Sequence, residues 1–308
     1  MQPINPPRSW QVGLVLGIGV FAVSTAAILI RLAMTEAEAR GVGFSLFLAA
    51  SRLAIASLLL LPAWRNLQPT QLNPGALRYA TAAGVCLALH FATWISSLSF
   101  TSIAASATLV TTNPVWVALL SWLWLKEKLS KLTVLGIGVA LTGGILIALG
   151  DTGATATGTN PLLGNFLALV GAVLVSLYFL LGREAQRRGL GIGSYVVVAY
   201  STGALVLLPL PFLFGINYVG YPVAVYVYLL LMAITSQLIG HTTINWAVRW
   251  ISPTLVTLAI LFEPISSSIL GYLIFKEVPG FPVLMGAVVL LIGVAIAIFG
   301  GREKSTVI

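Results

Sequence analysis

Charge is scarce in this sequence. Of 308 residues only 16 are Lys or Arg and 8 are Asp or Glu, about 8% in all. A water-soluble surface needs about a quarter of its residues charged, so two soluble domains, which the length alone would suggest, are excluded. Cysteine is scarcer still: Cys86 stands alone, which excludes a disulfide framework. Histidine occurs twice, at His90 and His241, and no zinc, haem or iron–sulfur spacing is present, so no cofactor is expected. The apolar segments do not alternate polar and apolar residues over about ten positions, as the strands of a membrane barrel would. What remains abundant is apolar residue, 58% of the chain. The class this composition leaves is an all-α integral membrane protein.

A helix crosses the hydrocarbon layer with about 20 residues. Ten apolar runs reach or approach that length: 11–31, 44–62, 78–98, 103–124, 132–149, 162–182, 195–214, 222–244, 253–274 and 281–299. Only Thr101 and Ser102 part the third from the fourth. The first run is too long for a signal-peptide core and is read as a span. The net charge of +8 sits in short gaps between runs, where Lys and Arg set orientation. There is no basic stripe for nucleic acid. With the N-terminus in the cytoplasm, Arg8, Arg65, Arg78, Lys126, Lys128, Lys131, Arg183, Arg187, Arg188, Arg249, Arg302 and Lys304 fall inside. Arg31, Arg40 and Lys276 fall outside. This asymmetry places both termini in the cytoplasm, and the short loops leave no room for a nucleotide-hydrolysing domain.

The halves resemble one another. At a shift of 150, residues 95–150 match 245–300 at 11 of 56 positions. The rarer matches weigh most: Pro114 with Pro264, Lys126-Glu127 with Lys276-Glu277, and Gly136, Gly143 and Gly150 with Gly286, Gly293 and Gly300. Ser24 and Arg31 correspond to Ser176 and Arg183 at a shift of 152. Five spans per half put the second copy upside down, so the expected organisation is two inverted five-helix repeats, 1–150 and 151–308. In secondary transporters such repeats enclose a substrate site near the midplane.

Asn113-Pro114 followed by Leu125-Lys126-Glu127 and Gly136, and Glu263-Pro264 followed by Phe275-Lys276-Glu277 and Gly286, resemble the repeat of the EamA-type drug/metabolite transporter superfamily. The length and the indole-rich spans are similar to those of its bacterial amino-acid exporters. This resemblance implies a multi-pass protein of the bacterial inner membrane that exports small metabolites, with amino acids, including aromatic ones, as the implied substrates. Other metabolites or drugs, nucleobase-like or cationic, are the alternative. No enzymatic constellation is present: a single intramembrane carboxylate and two histidines are too few for an acid/base or nucleophile–base site.

Ionisable groups at membrane depth usually face a cavity or a partner. They are Arg52, His90, His241 and Glu263. His90, Trp94 and Ser97 share one face of the third span, and Gln237, His241 and Asn245 recur every four residues on the eighth. Both stripes are expected to border one cavity, the alternative being polar helix packing. Glu263 is either a site for protons or a substrate amine, or a brace for the bend at Pro264. Arg52 is read as a structural anchor. Pro114 and Pro264 each remove a backbone hydrogen bond and are candidate hinges, with Asn113 beside the first. Trp94, Trp116 and Tyr178 are candidates to stack on an aromatic substrate or cover an amine; Trp10, Trp64, Trp122, Trp124 and Trp250 are read as interfacial anchors. Gly13-x-x-x-Gly17 is expected to mark close helix packing. Gly17-Ile-Gly19-Val-Phe-Ala22 nominally fits a dinucleotide fingerprint, but no strand precedes it.

Overall fold

The computed structural model describes residues 7–64, 73–125, 129–150, 159–247, 250, 256 and 259–302. Among these residues there is no strand. Eight helices are long and apolar enough to cross a membrane, and two shorter apolar helices, Lys131–Ile147 and Phe262–Phe275, lie where the fifth and ninth spans are expected. The elements are α1 (Ser9–Glu36), α2 (Val42–Leu59), α3 (Pro74–Ser97), α4 in two pieces (Ile103–Val110 and Asn113–Leu125), α5 (Lys131–Gly150), α6 (Pro161–Arg187), α7 (Ile192–Leu207), α8 (Val223–Ala247), α9 (Phe262–Phe275) and α10 (Phe281–Arg302). Arg65, Lys126, Glu127, Lys128, Arg249 and Lys304, used above for orientation or repeat matching, lie outside the described residues.

Local chemistry starts these helices where the breakers stand. Asn73 accepts from the Gly75 N–H at 2.8 Å ahead of Pro74, and Asn160 accepts from Leu163 N–H at 3.3 Å ahead of Pro161. Each pairs an N-cap side chain with a proline whose missing N–H costs nothing in the first turn. The weak boundary after the third span is settled by Ser102, whose hydroxyl accepts from Ala105 N–H at 3.0 Å and starts α4.

Helices from the two halves pack mainly against each other. α3 lies on α6 and α7, α1 on α8 and α9, α2 on α7, α4 on α6 and α9, and α5 on α10. Exchanging the halves maps this pattern onto itself. The α5–α10 contact is the tightest. There Gly136 faces Ala297, Gly293 faces Ala140, Gly143 faces Leu290 and Gly286 faces Ile147, so the two helices run antiparallel. A Cβ added at Gly136 or Gly293 would lie 2.2 Å from a backbone nitrogen of the other helix. In lipid, where apolar burial does not drive helices together, such backbone approach maximises dispersion contact.

Gly13 and Gly17 do not carry the packing expected of them: a Cβ at either would meet nothing within 4 Å. The close approach on α1 belongs to Gly19, against Thr243 on α8, and its counterpart is Gly171 on α6 against Thr93 on α3. A GxxxG spacing tells which glycines share a face, not which face meets protein.

The two prolines sit beside breaks rather than within continuous helix. α4 is interrupted at Thr111–Thr112, and Pro114 occupies the first turn of its second piece. Pro264 lies in the first turn of α9, directly after a turn at Leu261. Both positions relieve the proline's clash with a preceding carbonyl. Thr112 donates to Leu109 O at 2.7 Å, satisfying a carbonyl at the first break.

Candidate functional site

A cavity opens between α1, α3, α4, α6, α8 and α9. Its walls include His90, Trp94, Asn113, His241 and Glu263, with Val23, Val110, Val175, Phe179, Ile244 and Ile260 as apolar lining. Five of the ten residues singled out from the sequence thus meet in one place, three from the first half and two from the second. The cavity is about 50 Å³. At about 10–15 Å³ for each water it holds a few waters and no amino acid.

Each wall residue is held by a specific contact. His90 Nδ1 is 2.8 Å from Gly171 O on α6, a distance allowed by the small residue there, and its ring stacks on Trp94 at 5.9 Å with planes 5° apart. His241 meets Phe91 edge-on at 5.5 Å. Asn113 is fixed through its backbone, whose carbonyl accepts from Ser176 Oγ at 3.0 Å. Their side chains keep unused capacity: Trp94 Nε1, Asn113 Oδ1 and His241 Nδ1 are buried without a hydrogen-bond partner in the protein. Unpaired buried polar atoms are costly, about 1–3 kcal/mol each, and these three belong to residues of one cavity wall.

The other five candidates are placed elsewhere. Ser97 donates to Trp94 O and pairs with Ser106, both at 2.6 Å, which is helix packing. Trp116 Nε1 donates to Thr112 Oγ1 at 3.0 Å, beside the break in α4. Tyr178 is fully buried and accepts from Asn245 Nδ2 at 2.9 Å. Gln237 accepts from Arg52 Nε at 3.1 Å. At the repeat shift of 150, His90 corresponds to Gly240, so the histidines are one residue, about 100°, out of register, and yet both reach the cavity. Between Gln237 and His241, Met232–His241 is wound as a π-helix, with Thr242 N–H donating to Gln237 O five residues back; such turns are frequent at functional sites.

Arg52 was assigned to anchoring, and the structure gives it a more central place. It lies ten residues into α2, about 15 Å along the axis, and is completely buried. Its guanidinium sits 4.2 Å from the Phe91 ring centroid, and it interacts electrostatically with Tyr200, Glu263, His90 and His241. Nη1 and Nη2 have no partner in the protein. A charge at membrane centre costs about 2.5–3.5 kcal/mol on insertion scales. A cation–π contact returns about 0.5–2 and one charged hydrogen bond about 1.5–3, so these contacts roughly offset insertion and leave two nitrogens unpaid. The signal for Arg52 was available in the sequence: it is the one basic residue in the middle of a predicted span.

A second buried ionic contact ties the halves together away from the cavity. Arg31 on α1 reaches Glu277 beyond α9 at 3.5 Å and also donates to Thr101 O. Glu277 accepts from Ile103 N–H at 2.6 Å, capping α4. Residues assigned by charge to one side of the membrane also cluster: Arg188 lies 4.6 Å from the Tyr79 ring, next to Arg78.

With this geometry in view, comparison with known proteins is informative. The model of the EamA-like transporter family matches residues 10–149 and 162–299. The chain belongs to the EamA-like transporter family. It is therefore a multi-pass membrane protein, and transport is its activity. An uncharacterized transporter of Bacillus subtilis, YyaM, is 24% identical over 246 residues, 79% of this chain and 80% of that protein. An uncharacterized transporter of Clostridium kluyveri is 27% identical over 64% of each chain, and one of Archaeoglobus fulgidus is 23% identical over 68% of this chain and 72% of that protein. One crystal structure superposes with a TM-score of 0.63 at 18% identity, covering 96% of this chain and 100% of that one, which is a likeness of fold.

Proposed function

We propose that this EamA-family member is a secondary transporter of the bacterial inner membrane that exports small metabolites, amino acids including aromatic ones, by alternating access around the cavity. The observation that carries the reading is the cavity itself: it lies between helices of both halves, and three of its wall residues, Trp94, Asn113 and His241, each hold a buried polar atom without a partner in the protein. A guest larger than a few waters enters only if the helices around it separate. The inverted-repeat reading is supported by the contact pattern that survives exchange of the halves, by the antiparallel α5–α10 pair, and by the two stretches matched by the family model. Trp94 and His90 form a stacked pair that suits an aromatic side chain. Glu263 supplies the cavity's carboxylate, for a substrate amine or a coupling proton.

Counterflow in proteoliposomes with a panel of labelled amino acids tests this. Saturable exchange of amino acids is expected, and Trp94→Ala should weaken aromatic substrates more than small ones. Exchange confined to nucleobase-like or cationic compounds would move the substrate class to the alternative. Non-saturating flux would indicate a channel, and chemical conversion an enzyme.

A further inference from the structure

We propose that Arg52 is the anchor for the carboxylate group of the transported molecule. This rests on the amino-acid reading above and deepens it. The guanidinium is held from two sides, by the Nε hydrogen bond to Gln237 on α8 and by the face of Phe91 on α3. That leaves the outer fork, Nη1 and Nη2, buried and without a partner in the protein. A fork of parallel N–H groups matches the two oxygens of a carboxylate, and bidentate pairing is what distinguishes Arg from Lys in such roles.

The surroundings fit. Phe91, whose face the guanidinium covers, meets the wall residue His241 edge-on at 5.5 Å, and the guanidinium interacts electrostatically with the wall residues His90, His241 and Glu263, so one aromatic ring separates it from the wall. Tyr200 approaches from α7. Widening the cavity by parting α3 and α8 would bring fork and substrate together, because Arg52 bridges those two helices.

The fold itself does not require a guanidinium here. α2 and α7 cross at Leu53, whose Cδ1 would lie 2.8 Å from a Cβ on Gly203, and 203 is the repeat counterpart of 53. The register at this crossing pairs Arg52 with Thr202, an uncharged residue in the equivalent helix.

The test uses purified full-length protein in detergent and in liposomes, with tryptophan, tryptophanamide and indole-3-propionate as probes. The amide lacks the carboxylate and indole-3-propionate lacks the amine. In the wild type, tryptophan and indole-3-propionate should raise thermal stability at concentrations at least tenfold below the amide, the order of one charge-assisted hydrogen bond. Arg52→Gln should bring that acid-to-amide preference close to one, and Arg52→Lys, which keeps charge but loses the fork, should fall between. Because preference is a ratio within each variant, a general loss of stability does not mimic the result. An unchanged preference in Arg52→Gln, or a wild type that takes acid and amide alike, overturns the anchor. Arg52-dependent stabilisation by indole-3-propionate with no amino-acid exchange in liposomes would keep the anchor and overturn the amino-acid reading.

Discussion

Replacing Gly136 by alanine should separate α5 from α10 and destabilise the protein, whereas the same change two residues on, at Gly138, should not. A Cβ at Gly136 would stand 2.2 Å from Ala297 N, 2.6 Å from Ala297 Cα and 2.7 Å from Gly293 O. Ordinary contact begins at 3.4 Å, so the helices must part by about 1.2 Å, the difference between 3.4 and 2.2 Å. The obstructing atoms are backbone and cannot rotate aside. A gap of about 0.5–1 Å already forfeits a quarter to a half of each dispersion contact, and overpacking costs about 1–3 kcal/mol. At Gly138 a Cβ meets nothing within 4 Å. Both sites are interior to the same helix, so both variants gain about 0.5–1 kcal/mol of helix propensity, which cancels in the comparison. The expected difference is therefore the steric cost alone, about 1–3 kcal/mol. Equilibrium unfolding in mixed detergent–SDS micelles measures it. Gly143→Ala and Gly293→Ala, with clashes of 2.4 and 2.2 Å, should behave like Gly136→Ala. Equal midpoints for Gly136→Ala and Gly138→Ala would refute the close-packed seam.

Further outcomes are specific enough to measure. Glu277→Gln keeps an acceptor for Ile103 N–H but loses the charge facing Arg31, while Glu277→Ala loses both. Unfolding midpoints should fall in the order wild type, Gln, Ala, with a loss of about 3 kcal/mol for Ala, the low end for breaking a buried pair; no loss for either would remove Arg31–Glu277 as a tie between the halves. Glu263→Gln should retain substrate exchange in liposomes yet abolish acceleration by a pH gradient, and an unaltered gradient response would show that Glu263 does not carry the proton. With Cys86 replaced by alanine, Val278→Cys should react with an impermeant thiol reagent in intact cells and Arg187→Cys should be protected; the reverse pattern would invert the orientation read from the basic residues.

Composition by itself determined the class. With 8% charged residues the chain cannot clothe a soluble surface, and the bilayer demands runs of apolar residues long enough to cross it, so the helical membrane architecture is written in one dimension. The family was legible for a related reason: Asn113-Pro114, Glu263-Pro264 and the heptad-spaced glycines are rare residues at fixed offsets, and backbone geometry at a bend or a close crossing tolerates few substitutes. Of the residues on the cavity wall, His90, His241 and Glu263 were singled out by asking which ionisable groups are too costly to leave in lipid, Trp94 by sharing a face with His90, and Asn113 by its place beside Pro114.

Tertiary structure decided which of the polar groups face the cavity and which face a neighbouring helix. Periodicity fixes directions only relative to a helix's own axis, and the rotation of that axis toward its neighbours is set by packing. Gly19 rather than Gly13 or Gly17 therefore meets α8, and Ser97 turns to Ser106. Gln237, His241 and Asn245, four residues apart on α8, meet Arg52, the cavity and Tyr178 in turn. Arg52 shows the same limit most clearly. Its burial cost was evident from sequence, but that its Nη1 and Nη2 would be left unpaired beside the cavity depended on where α3, α7, α8 and α9 place Phe91, Tyr200, Gln237 and Glu263 around it, a convergence of residues up to 211 positions apart in the chain that no local pattern encodes.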